Sequence, residues 1–411
     1  MMQQQFPTED GHPVIDCRPL LLAEGDAEST AARMAALRQL RAALTLRGYF
    51  YCSVGVALPQ ELIARTYEQS KLAHALPLEL LRTRYVGALA PYRGFSANEP
   101  NYDASIASLC HSWDFGRDVP RLPVGDPDYE YCGPNVYPDT ELPQLRGVVD
   151  ELYEKQDALA RMMFRAFAEM FELPNSTFSQ HFSWRSSSSL RLLWYPGSDS
   201  AIAATAAAAA SASSGSQAAL PTSGISPHTD FELFTLMSQD APGLQIIPRQ
   251  SNPTEASASS GDGAWIDLPV RSGEFVIIVG DMLERYTNGA LKATPHRVQM
   301  VPWERRSIIR FVAVDGATVV APLPEFVPTG TEPRYTAVQQ VQHVVSTLQA
   351  VREGVGSWAG GAGGRSLSAS AVYEAGAYDA VREKYNAQFG QVSGDEEEQE
   401  RKERGRVVSK L

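Results

Sequence analysis

Apolar residues recur at three- and four-residue steps from about Leu142 to Phe171. Leu145, Val148, Val149, Leu152, Leu159, Met162 and Ala166 fall on one face, which predicts a long amphipathic helix closed by Pro174. Shorter helical patterns run from Ala31 to Leu46 and from about Pro59 to Ala73, and their companion strands are HPVIDC from His12 and GYFYCSV from Gly48. Between Ser183 and Asp315 the period changes. Short branched and aromatic runs (LRLLWYP, FELFTLM, GLQIIP, AWIDLP, EFVIIVGD, HRVQMV, SIIRFVAV) alternate with Gly, Pro and Asn turns. Such a series predicts a β-sandwich or barrel of jelly-roll type. Helical patterns return near Tyr335–Arg352 and Ala371–Gln388. The fold class is therefore α+β, a double-stranded β-helix (jelly-roll) core flanked by N-terminal and C-terminal helices.

The expected organisation is an N-terminal helix and strand region over 1–182 and a jelly-roll core over 183–316. A C-terminal helical region over 317–392 follows, then a charged tail over 393–411. Two low-complexity stretches, 198–224 and 250–263, read as loops between strands, and Gly354 to Ser370 as a linker. Against 36 Lys and Arg the 411 residues carry 48 Asp and Glu, a formal net charge of −12. That balance gives no electrostatic footprint for nucleic acid or an anionic membrane. Cys17, Cys52, Cys110 and Cys132 are scattered without a C-x-x-C pair, which argues against a zinc ribbon or a disulfide framework. No apolar run is long enough to span a bilayer, and the polar N-terminus does not read as a secretory signal.

Within this β region lies Pro227-His228-Thr229-Asp230, leading into FELFTLM. Residues two apart on a strand project to one side, so His228 and Asp230 can reach one metal. An isolated H-x-D carries little weight, because most single histidines are hydrogen-bonded core or surface residues. His296, in TPHRV after EFVIIVGD and the turn Thr287-Asn288-Gly289, supplies a third donor. Two imidazoles and one carboxylate make the facial triad of non-haem Fe(II) oxygenases, with positions left open for co-substrate and oxygen. Nine residues further on, Arg305 and Ser307 share a strand face while Arg306 points away. A guanidinium fork beside a hydroxyl suits a carboxylate, and Tyr195 in WYP can add a phenolic hydrogen bond. Alone, Arg305 would be a surface cation and Tyr195 a core aromatic.

With these residues in place, the chain resembles the 2-oxoglutarate/Fe(II)-dependent dioxygenase superfamily, in the branch of isopenicillin N synthase and the plant flavonoid and gibberellin oxidases. HPVID, LRGYFYCSVGV, YRGF and HSWDFG are similar to the family's earlier regions, and the strongest similarity runs from LRLLWYP to RRSIIRF. The resemblance implies His228, Asp230 and His296 as iron ligands, Arg305 and Ser307 on the distal carboxylate of 2-oxoglutarate, and Tyr195 as a further contact. It implies Fe(II), 2-oxoglutarate and O2, with ascorbate as an auxiliary reductant, and oxidation of a small organic molecule with release of succinate and CO2. Leu193 stands where many plant members carry asparagine, Arg310 where a small residue or proline is usual, and two loops are longer than typical. Two alternatives stay open here: an isopenicillin N synthase-like oxidase that takes no 2-oxo acid, and a non-catalytic metal-binding protein. The final Ser409-Lys410-Leu411 reads as a peroxisomal address, which implies an import receptor as partner and the peroxisomal matrix as location, with the cytoplasm as the alternative.

Overall fold

The apolar face read between Leu145 and Ala166 forms part of one helix, Pro143–Met170, in the computed structural model. Its buried side chains pack on one face of the central sheet, with Phe164 and Phe167 standing edge-on to Phe234 at 5.6 and 5.2 Å. The structure describes residues 6–22, 27–86, 93–97, 110–198 except 124, 127 and 130, 223–249 and 265–352. The helical pattern at Ala371–Gln388, the linker, the tail and Ser409-Lys410-Leu411 lie outside the described residues, as do most of the two low-complexity stretches.

In chain order the strands that matter are β1 (Thr8–Glu9), β2 (His12–Asp16), β3 (Tyr49–Ser53), β4 (Gly94–Ala97), β5 (His111–Phe115), β6 (Ser189–Tyr195), β7 (Ser223–His228) and β8 (Phe234–Gln239). They continue as β9 (Leu244–Ile246), β10 (Ile266–Asp267), β11 (Glu274–Val279), β12 (His296–Gln299) and β13 (Arg305–Val312). Nine form one sheet in the order β1-β2-β3-β11-β8-β13-β6-β5-β4, and four form a second in the order β10-β9-β12-β7. From β6 to β13 the chain passes back and forth between the two sheets, which is the double-stranded β-helix. The N-terminal strands β2 and β3 extend the large sheet at one edge, and β5 and β4 extend it at the other.

Side-chain alternation explains why the large sheet is apolar on both faces. On β11, Phe275, Ile277 and Val279 join the core under the helices. Val276 and Ile278 instead pack between the two sheets, with Tyr195, Met237 and Val298. On β13 the same alternation turns Ile308 and Val312 toward the helices. It leaves Arg305, Ser307 and Ile309 on the opposite face, Ile309 in the core between the sheets. Arg310 lies on the helix side, fully buried. There it bonds Asp157 and stacks 3.7 Å from the Tyr153 ring centroid, both on the long helix.

Several elements differ from their sequence reading. FELFTLM becomes a strand only at Phe234, because residues 231–233 carry the chain from the second sheet into the first. The Gly-Asp ending EFVIIVGD leaves the strand, and Asp281 begins a short helix, Asp281–Tyr286. The C-terminal helix starts at Gln340 rather than Tyr335, since Val338–Gln339 pairs with Val319–Val320. Residues 223 and 224, read as the end of a loop, belong to β7. Strands β4 and β5 and the helix Leu78–Arg84 had no periodicity long enough to announce them. All four cysteines are free and buried, and no described helix is long and apolar enough to cross a membrane.

Candidate metal centre and co-substrate pocket

Antiparallel pairing of β7 with β12 sets His228 directly opposite His296, with ring centroids 4.2 Å apart. Asp230 does not sit on the strand as the two-residue spacing suggested. It lies just past the end of β7, in the bend that leads to β8. The bend returns its carboxylate to the imidazoles: Asp230 Oδ1 is 3.6 Å from His296 Nε2 and 3.9 Å from His228 Nε2. One donor atom from each of the three falls within 4.8 Å of the others, and all three residues are buried. A first-row metal with bonds of roughly 2.1 Å requires donors about 3 to 4 Å apart, so the set fits one ion.

Each donor is oriented from behind. His228 Nδ1 faces the Ser226 carbonyl at 2.9 Å and His296 Nδ1 the Thr294 carbonyl at 3.1 Å. Only a protonated Nδ1 can bond a carbonyl, so in both rings Nε2 is the unprotonated nitrogen, the form that can donate to an ion. Burial and the neighbouring His296 hold the His228 imidazole well below its usual pKa, in the neutral form a metal needs. Thr235 donates its hydroxyl to Asp230 Oδ2 at 2.5 Å, which leaves Oδ1 for the centre. The bend itself hangs on three backbone bonds: Gly280 N–H to Leu233 O, Asp281 N–H to Asp230 O and Met282 N–H to Glu232 O. A Cβ at position 280 would come within 2.3 Å of the Glu232 carbonyl, so glycine is required for that approach. Asp281 then accepts from Thr229 and faces His343 Nε2 at 3.2 Å, tying the C-terminal helix to the same bend.

Thr235→Ala removes the hydroxyl that holds Asp230 Oδ2. Metal affinity is expected to fall roughly 10- to 100-fold with the melting temperature little changed, checked by Co(II) titration. An unchanged affinity would show that the Asp230 bend needs no such support.

Across the interior lies the second set. Register places Arg305 opposite Tyr195 and Ser307 opposite Leu193. The Arg305 guanidinium stands 4.6 Å from the Tyr195 ring centroid. It is fully buried, with Nη2 on the Gln239 amide oxygen at 3.0 Å. Gln239 is itself fixed by donating to the Leu268 carbonyl. Arg305 Nη1, Ser307 Oγ and Tyr195 Oη, by contrast, are all buried and have no hydrogen-bond partner among the described residues. Burial pushes the Tyr195 phenol up, so it stays a donor. Three orphaned donors, one of them cationic, are what a carboxylate would satisfy. His296 shares a strand face with Val298, which packs in the same interior as Tyr195.

Sequence reasoning passed over Thr235, Gln239 and Glu232. The last is an acid inside the apolar run FELF, and that break in pattern was its signal. Burial and the charge of Asp230 raise the Glu232 carboxyl to about 8. Asp114, in the quoted HSWDFG, accepts from Arg191 Nε at 2.6 Å, while Arg93 of YRGF bonds the Tyr131 carbonyl.

A double-stranded β-helix with two histidines and an aspartate at one end defines a class, the non-haem iron oxygenases that share this core. The comparisons with known proteins make the class specific. Residues 212–314 match the model of the 2OG-Fe(II) oxygenase superfamily, and residues 12–140 match that of the non-haem dioxygenase in morphine synthesis N-terminal region. The 2-oxoglutarate-Fe(II) type oxidoreductase ppzD of Metarhizium rileyi is 27% identical over 299 residues, 69% of this chain and 76% of its own. Homoarginine-6-hydroxylase 2-ODD-C23 of Glycine max is 27% identical over 315 residues, 76% of this chain and 88% of its own. A full-length Neurospora crassa protein, solved in complex with alpha-KG and 5-formyluracil, superposes with a TM-score of 0.62 at 22% identity, covering 85% of this chain and 99% of that one. The chain belongs to the 2OG-Fe(II) oxygenase superfamily.

Proposed function

We propose that this protein is an Fe(II)- and 2-oxoglutarate-dependent dioxygenase that hydroxylates a small organic metabolite, with release of succinate and CO2. His228, Asp230 and His296 would hold the iron, and Arg305, Ser307 and Tyr195 the distal carboxylate of 2-oxoglutarate. The observation that carries this reading is the trio of buried donors without partners among the described residues, Arg305 Nη1, Ser307 Oγ and Tyr195 Oη, in the interior that His296 also faces. Iron(II) bound there supplies the activation of O2 that couples decarboxylation of the 2-oxo acid to oxidation of a substrate C–H bond.

The chain's own residues do the rest. The Ser226 and Thr294 carbonyls keep both imidazoles in one tautomer and one orientation. Thr235 leaves one Asp230 carboxylate oxygen for the ion, and the Arg305 fork would hold the distal carboxylate of the co-substrate. Leu193, Val298 and their apolar neighbours exclude water around it. An oxidase that dispenses with 2-oxoglutarate is not favoured, since the relatives compared above are 2-oxoglutarate oxidoreductases and hydroxylases by name. Oxygen uptake by the iron-loaded protein, screened against a metabolite panel, should require 2-oxoglutarate and yield succinate. Uptake that proceeds equally without the 2-oxo acid would refute the reading.

We further propose that Ser409-Lys410-Leu411, where they close the natural chain, are read by the peroxisomal import receptor. Removing the tripeptide from a fluorescently tagged protein should turn punctate signal diffuse, and an unchanged distribution would end that idea.

A further inference from the structure

The C-terminal helix, Gln340–Arg352, lies well beyond His296 in the chain yet packs on the bend that carries Asp230. Its buried side combines two kinds of residue. Val341, Val344 and Val345 form a small apolar cluster with Phe231 and Tyr131. Gln340 and His343, three residues apart and so on one side of the helix, are polar and fully buried. Gln340 Nε2 lies 3.5 Å from the Phe231 carbonyl, and the His343 ring stands edge-on to the Phe231 ring. His343 Nε2 meets Asp281 Oδ2 at 3.2 Å.

Asp281 is the junction between this helix and the metal centre. Its Oδ1 accepts from the Thr229 hydroxyl at 2.8 Å, and its backbone amide donates to the Asp230 carbonyl at 2.8 Å. Thr229 stands between His228 and Asp230 in the chain, so Asp281 grips the segment that carries two of the three donors. What fixes the Asp281 carboxylate on its other side is His343. Asp281 is fully buried, and water has no access to replace that bond. Packing alone does not explain a histidine here. Leucine or valine would extend the apolar cluster and avoid the cost of burying an imidazole.

We propose that His343 is a positioning residue for the metal centre, acting through Asp281 and Thr229 to fix the segment from His228 to Asp230. The inference rests on the metal-centre reading and adds to it a residue from outside the jelly-roll core. Metal donors must be held within about 0.5 Å of their working positions, and a chain of buried hydrogen bonds supplies that restraint. A hydrogen bond in either direction serves, so the role does not depend on which partner of the His343–Asp281 pair holds the proton.

The test is a calorimetric Co(II) titration of the full chain, with the visible absorption spectrum of the bound Co(II) recorded alongside. His343→Leu is expected to bind Co(II) roughly tenfold or more weakly and to change that spectrum. His343→Gln, whose amide can still bond Asp281 Oδ2, should recover most of both. Val341→Ala loosens the same helix without touching Asp281. It should lower the melting temperature and keep the wild-type affinity and spectrum. The proposal is overturned if His343→Leu binds Co(II) as wild type does, or if Val341→Ala loses as much affinity, which would reduce the effect to stability. Should His343→Leu not fold, Thr229→Val decides, because it cuts the same chain of bonds at its other end; unchanged affinity there would overturn the proposal. Failure of the wild-type chain to bind Co(II) would count against the metal centre itself, and binding indifferent to position 343 against His343 alone.

Discussion

Replacing His228 by alanine is expected to abolish succinate release at saturating iron and 2-oxoglutarate and to weaken metal binding by on the order of 100-fold or more. In the proposed centre His228 would supply one of three protein donors, and the remaining pair, His296 Nε2 and Asp230 Oδ1 at 3.6 Å, would not hold a facial geometry alone. The change lies at the last residue of β7, and the ring's Nδ1 bonds the Ser226 carbonyl only two residues away. The fold should therefore survive. The measurement that isolates the ligand role is the Co(II)-dependent rise in melting temperature, since an ion that binds only the native state stabilises it by mass action. Wild type should show that rise and the variant should not. Wild-type turnover in the variant would overturn the assignment.

Arg305→Ala should leave metal binding intact and raise the 2-oxoglutarate KM roughly 30-fold or more, the equivalent of at least about 2 kcal/mol for removing one partner of a buried charge pair. The guanidinium is fully buried and braced by Gln239 and the Tyr195 ring, so solvent cannot take its place beside the carboxylate. Arg305→Lys keeps the charge but loses the planar fork, and its KM should fall between the two. Organic-substrate affinity measured at saturating 2-oxoglutarate should move little. An unchanged 2-oxoglutarate KM in Arg305→Ala would remove this residue from the co-substrate site.

Much of the architecture was legible because it is written in short-range periodicity. A 3.6-residue rhythm marks the long helix to within a residue at each end, Leu142 to Phe171 against Pro143–Met170. Short branched and aromatic runs bounded by turn residues mark β6, β11 and β13, whose apolar residues serve both faces of a sheet. Elements with little periodicity of their own escaped. The strands β4 and β5 are short and mixed, and the Asp281–Tyr286 helix is a single polar-looking stretch whose side chains are nonetheless all buried. H-x-D has strand spacing and so predicts a strand through Asp230, whereas the crossing between sheets forces a bend there.

The sequence alone determined which donors exist: the chain order His228, Asp230, His296 and the Arg305–Ser307 pair, each a local pattern of residue types. Tertiary structure decided which of them meet. Only the β7–β12 pairing brings His228 opposite His296, and only the bend held by Gly280 and Asp281 returns Asp230 to them. It also decided that Thr235 braces the carboxylate and that Glu232 is enclosed beside the centre, with no side-chain partner among the described residues. The physical reason is range. Backbone propensity and side-chain alternation act over a few residues, while contacts between strands far apart in the chain form only when whole apolar faces are buried together.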